Sequence, residues 1–210
     1  MNNYLSPLQH DALCEIFNIS VGRAAAAMSG LVGEEVSLSV PAMRFCRLAE
    51  LNDRIGWAQW RHVDAVAQHF AGSFDGDALL MFADDDGEEV VRLMLNSLKQ
   101  PVDVEALTKD ALAEVGNVLL TACLSALADI MAEDFDYSLP SLCSGKGVDV
   151  LLQRGAEPEC QVLFLHIQFL LETKRIEGYL AFLLGVSSLD GLRNGVDRFL
   201  GHLGAAVNHG

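Results

Sequence analysis

The chain repeats itself, and that constrains its fold more than any other feature. Asp11, Glu15, Asn18 and Pro41 recur as Asp110, Glu114, Asn117 and Pro140, each 99 positions later and without a gap. Apolar positions keep the same offset: Leu8 with Leu107, Leu13 with Leu112, Ile16 with Val115, Ala27 with Ala126. Four identities at fixed spacing in one register arise by chance about once in 10⁵, so the match reads as a duplication. The period is longer than the roughly 20–50 residues of solenoid repeats and predicts two copies of one half-domain.

The offset carries past the motif. Helix-patterned "EEVVRLMLNSLKQ" (88–100), stopped by Pro101, overlays "SSLDGLRNGVDRF" (187–199). Between motif and second helix, each half holds two strand-like runs, "HVDAVAQHF" and "GDALLMFA" in the first, "QVLFLHIQFLL" and "IEGYLAFLLG" in the second. A further strand, "VSLSVPAMRF" or "YSLPSLC", follows each motif helix. Each half therefore reads helix, strand, strand, strand, helix. The expected fold is α/β (α+β): a single pseudo-twofold-symmetric domain over 1–210, with repeats at about 5–100 and 104–203 that share one mixed sheet covered by helices. Residues 84–105 hold the crossover, whose middle is amphipathic.

Composition narrows the function. A chain of 210 residues with 51% hydrophobic residues can bury a real core. Its 14 basic residues stand against 29 acidic ones, and the net charge of -15 repels phosphate backbones and anionic lipid surfaces. Neither nucleic acid nor a membrane is an expected partner. The five cysteines (14, 46, 123, 143 and 160) are scattered, with no C-x-x-C pair and no histidine at metal-ligand spacing. They read as reduced thiols of a cytoplasmic protein, and no metal site is expected. The opening "MNNYLSPLQHDAL" lacks the basic and apolar regions of a signal peptide. "VLFLHIQFLL", broken by His166 and Gln168, reads as a buried strand rather than a membrane span.

On a helix, Asp11, Glu15 and Asn18 stand at i, i+4 and i+7 and share one narrow stripe. Leu13, Ile16, Phe17, Ala24, Ala27 and Met28 gather on the other side, as do Leu112, Val115, Leu119, Cys123, Ala126 and Leu127 in the second copy. Ser6-Pro7 suits the N-cap and first position of one helix, and Asp103 suits the N-cap of the other. Acids on a solvated helix face are ordinary, but the same acid, acid and asparagine at one phase on two helices ask for more. The trio offers no nucleophile, histidine base or metal cluster. A glutamate can accept a charge-assisted hydrogen bond from a partner's lysine, and a carboxamide can fix a water molecule. Those are tools of positioning, and phosphoryl transfer is the reaction class in which positioning and electrostatics suffice.

With these residues in place, the sequence resembles the CheC/CheX/FliY phosphatases of bacterial chemotaxis. Their signature is Asp or Ser, three residues, Glu, two residues, Asn, 22 residues and Pro. Asp11, Glu15, Asn18 and Pro41 satisfy it, and Asp110, Glu114, Asn117 and Pro140 satisfy it again. Two complete signatures in a chain of this length are similar to the CheC branch. The resemblance implies a phosphatase for a phosphorylated CheY-type receiver. Asn18 and Asn117 would orient the attacking water, and Glu15 and Glu114 would pair with the receiver's lysine. Asp11, Asp110, Pro41 and Pro140 would serve docking or helix support. The chain would hold no cofactor, because the receiver brings Mg²⁺ with its aspartyl phosphate. CheD is implied as a second partner. Phe17 stands where the family has glycine, which Gly116 keeps, and Arg23 where a smaller polar residue is usual, so the second copy is expected to be the better preserved site.

The remaining features read as structure. His62, His69 and Asp64 lie on a strand in a spacing that sends the two histidines to opposite faces. "GSFDGD" (72–77) reads as a hairpin turn, "DDDGEE" as a loop and helix start, "SGKGVD" as an exposed turn, and Trp57 and Trp60 as cover for one end of the core. The competing function is a non-catalytic adaptor that binds CheD, or a flagellar-switch-like interaction module of the same fold. Internal symmetry favours a monomer.

Overall fold

A computed structural model describes residues 4–32, 35–55, 60–96, 104–147, 149–171 and 174–207. Its elements run α1 (Pro7–Val32), β1 (Ser37–Arg47), α2 (Leu48–Ile55), β2 (Val63–Ala71), β3 (Gly76–Ala83) and α3 (Asp86–Asn96). They continue with α4 (Val104–Met131), β4 (Asp136–Tyr137), β5 (Ser141–Gly145), α5 (Asp149–Leu152), β6 (Gln161–Leu171), β7 (Lys174–Leu184) and α6 (Val186–Val207). The same order of elements thus runs twice, with two departures from the sequence expectation. A short helix follows the first strand of each half, and in the second half that strand is split into β4 and β5.

Proline accounts for both irregular strands. Pro41 falls where the β1 ladder shifts register, between Ser39 and Ala42. Pro140 falls in the gap between β4 and β5. A residue with no N–H cannot donate to a ladder and is confined to breaks and bulges.

The strands form one sheet in the order β1-β6-β7-β3-β2-β4, with β5 also on β2. Every pairing is antiparallel, which corrects the expectation of a mixed sheet. Two tight hairpins, β2–β3 and β6–β7, must each be antiparallel. The pseudo-twofold between β3 and β7 reverses one hairpin against the other. Each half's first strand then crosses to the opposite half: β1 pairs with β6, and β5 with β2.

Alternation along the strands feeds two cores. Val66 and Phe70, Leu80 and Phe82, Leu163 and Leu165, and Leu180 and Phe182 point to the larger core, under the long helices. Val63 and Ala65, Leu79 and Met81, Val162 and Phe164, and Ala181 and Leu183 point to the smaller one, under α2 and α5. His166 and Gln168 lie on this second face where helical cover gives out. They meet Glu177 on β7: His166 Nε2 bonds Glu177 Oε2, and Gln168 Nε2 donates to Glu177 Oε1 at 3.3 Å. That is how a nearly continuous apolar strand accommodates two polar side chains.

The stretch Thr108–Met131 of α4 is long and apolar enough to cross a bilayer by composition. Here it is a core helix instead, with Leu112, Val115, Leu119, Leu120, Leu124 and Leu127 buried in the larger core. Leu13, Ile16, Phe17, Ala24 and Met28 of α1 are buried as expected, but Ala27 is exposed. Its one methyl group sits at the edge of the apolar stripe, where a 100° step turns it out to solvent.

Candidate active site

The start of α1 is fixed by a reciprocal cap. The Gln9 N–H donates to Ser6 Oγ at 3.2 Å, and the Ser6 N–H donates to Gln9 Oε1 at 2.9 Å, a capping box that satisfies two orphan donors. Gln9 also donates from Nε2 to Asp197 Oδ1 on α6 at 2.8 Å, so the helix phase is set by tertiary contact as well as by its cap. Asp103, expected to cap α4, lies outside the described residues.

With the buried faces fixed, the motif side chains follow. Asp11, Glu15 and Asn18 are exposed on α1; Asp110 and Glu114 are exposed and Asn117 half-buried on α4. Side chains three apart on one helix stand about 5–6 Å apart at Cβ, so each Glu-Asn pair can be touched by a single group of a partner. Asp11 has local company: His10 Nδ1 lies 3.7 Å from Asp11 Oδ1 and 3.8 Å from the Cys14 sulfur. Partial burial and the neighbouring Asp11 raise the Cys14 thiol, which keeps it a poor nucleophile at neutral pH. Pro41 lies in β1 and Pro140 in the gap between β4 and β5, neither on the motif helices.

The two copies differ beneath the motif. A Cβ on Gly116 would fall on the side chain of Val66, so α4 approaches β2 at a distance only glycine allows. At the equivalent place Phe17 is fully buried, its ring 5.1 Å from that of Phe182 on β7. Above the motif, the Thr121 hydroxyl donates to Asn117 Oδ1 at 3.5 Å. Its counterpart in α1 is Gly22, and among the described residues no hydrogen bond holds the Asn18 side chain. Sequence reasoning passed over Thr121, although its i+4 step from Asn117 was there to be seen. Arg23 leaves the motif face to pair with Asp129 of α4 at 3.0 Å.

The other sequence features lie apart from these helices. His62 pairs with Asp64 at 3.1 Å and His69 with Asp77 at 3.6 Å. Among the described residues no group of three or more His, Cys, Asp or Glu could hold a metal. Residues 72–75 join β2 to β3, Trp60 packs at a tilt against Tyr179 with ring centroids 4.5 Å apart, and Trp57 lies outside the described residues. The five cysteines are free thiols, and burial pushes Cys123 up to about 12.

Comparison with known proteins shows what the chain is similar to. The model of the family described as chemotaxis phosphatase CheX matches residues 65–164. The CheY-P phosphatase CheC of Bacillus subtilis is 28% identical over 145 residues, covering 67% of this chain and 68% of that protein. The chain is similar to the CheC/CheX/FliY phosphatases. The flagellar motor switch phosphatase FliY of B. subtilis is 23% identical over 155 residues, 73% of this chain but 39% of its own length. The crystal structure of Thermotoga maritima FliY superposes with a TM-score of 0.75, covering 93% of this chain and 98% of the other at 16% identity. At that identity the likeness speaks for the fold.

Proposed function

We propose that this chain accelerates hydrolysis of the aspartyl phosphate on a CheY-type receiver domain. One observation carries the reading: a chain similar to these phosphatases displays Glu-x-x-Asn on the open face of two core helices, at the phase that frees both side chains for a partner. In the step itself, a water oxygen bonds to phosphorus and the acyl O–P bond breaks. The electron pair returns to the receiver's aspartate as carboxylate, and the water proton leaves on phosphate. The receiver carries the Mg²⁺ that neutralises charge on the phosphoryl oxygens. Glu15 or Glu114 accepts from the receiver's lysine and sets the docking register. Asn18 or Asn117 orients the water through its carboxamide. Asp11 and Asp110 extend the acidic stripe towards the helix starts and contribute to docking. CheD is a second partner on this reading, and the internal pseudo-twofold lets the chain act as a monomer.

The test is phosphate release from a Mg²⁺-loaded, acetyl-phosphate-charged receiver with a sub-stoichiometric amount of this protein. Turnover is expected, and Asn18→Ala with Asn117→Ala together should abolish it. The single Asn117→Ala change should cost more than Asn18→Ala, because Gly116 seats the second helix on the sheet and Asn18 lacks the Thr121 contact. Unchanged release by the double variant overturns the catalytic roles. Binding without acceleration, across several receivers, moves the chain to the adaptor reading.

A further inference from the structure

We propose that Thr121 is a positioning residue that sets the orientation of the Asn117 carboxamide, an inference that rests on the phosphatase reading for its effect on turnover. A carboxamide presents a donor end and an acceptor end that a half-turn about its last bond exchanges. Free on a solvated helix face, it samples both orientations, and only one suits a given water. Thr121 follows Asn117 by four residues, so its side chain lies over the turn that carries the asparagine. Its hydroxyl donates to Asn117 Oδ1 at 3.5 Å, a long contact, and in that arrangement the Nδ2 hydrogens face the other side. Threonine divides between two χ1 states on a helix, and the one it adopts here aims the hydroxyl at the Asn117 carboxamide. Asn117 is half-buried where Asn18 is exposed, and the close approach of Gly116 to Val66 fixes the helix turn that bears it.

The first copy supplies the contrast. Gly22 occupies the position of Thr121, and a Cβ there would meet nothing within 4 Å. That site has no hydroxyl one turn beyond its asparagine, so its carboxamide must be oriented by the partner on docking. Two sites that share Glu and Asn would then differ in preorganisation rather than in chemistry.

The experiment uses the full chain carrying Asn18→Ala, so that only the second site turns over. Thr121→Val and Thr121→Ser are compared with this parent in steady-state phosphate release against receiver concentration. The ¹⁵N relaxation of the Asn117 side-chain amide is followed in the absence of receiver. Thr121→Val, which keeps the shape and removes the hydroxyl, should lower kcat about fivefold with KM unchanged and mobilise the amide. Thr121→Ser should keep kcat within about twofold and the amide ordered. Thr121→Val with parental kcat and parental amide order overturns the proposal, and so does Thr121→Ser falling as far as Thr121→Val. The relaxation reads the Thr121–Asn117 link without turnover. An intact chain without turnover refutes the phosphatase reading, and an amide still mobilised by Thr121→Val then upholds the link on its own.

Discussion

At the scale of single residues, the sharpest constraint is Gly116. Its missing Cβ would coincide with the side chain of Val66, so any larger residue must push α4 off β2 and carry Glu114 and Asn117 with it. Gly116→Ala is expected to destabilise the fold by about 1–3 kcal/mol, the usual cost of overpacking a tight core. On the proposed function it should also lower receiver dephosphorylation through the second motif. Val66→Ala in the same chain makes room for the new methyl group, so the double variant should lose less stability than the two single losses combined. Denaturant unfolding of the four proteins measures the coupling; strict additivity would mean that the glycine is not held by this contact. Phe17 shows the other solution to the same position. It fills the space with a ring against Phe182, and so a residue as large as phenylalanine can take the place that Gly116 holds in α4 and stay on the core side while Asn18 remains exposed.

At the scale of elements, α3 carries an electrostatic load at its start. Burial first, then Glu177, Asp84, Asp85 and Glu89, raise the carboxyl of Asp86 above its usual value of 3.8. A raised carboxyl binds its proton more tightly in the native state than in the unfolded chain. It therefore penalises the fold at neutral pH, and the penalty fades as pH falls through the native value and is gone below the unfolded one. Asp86→Asn is thus expected to raise Tm near pH 7, with the advantage shrinking on acidification and vanishing below about 3.8. Melting curves of both proteins across that range decide it, and an advantage that grows in acid would reverse the sign. The long elements were legible in the sequence because α1 and α4 bury apolar residues at a helical period and β2, β3, β6 and β7 carry apolar runs between turn residues. The short helices α2 and α5 were not, since 8 and 4 residues hold too few turns to establish a period. The split of β4 from β5 was announced by Pro140, but a proline in a strand-like run tells where a ladder fails, not how the chain resumes. The Glu-Asn stripes were readable from spacing alone. The Thr121 contact depends on a rotamer, which spacing permits without dictating.

At the scale of the whole molecule, the offset of 99 accompanies an order of elements that runs twice but does not say how the two halves interlock, because strand pairing between halves is a non-local choice that no local pattern records. The structure exchanges first strands: β1 lies on β6, and β5 lies on β2. Among the described residues, the one strand pairing left within 1–100 is the β2–β3 hairpin, and within 104–210 it is β6–β7. A lone two-stranded hairpin is marginal in water, and each half would also expose the apolar strand faces that the other half's helices cover. Neither half is therefore expected to fold as a monomer. A second copy of the same half can supply the exchanged strand through the pseudo-twofold, so any folded species of one half alone should be a dimer. Mixing the two halves should yield a one-to-one complex with the melting behaviour of the intact chain. Light scattering coupled to size-exclusion chromatography reads all three species. A cooperatively folded monomer of either half would show that the exchange of β1 and β5 is dispensable, and that each repeat holds its apolar strands without the other.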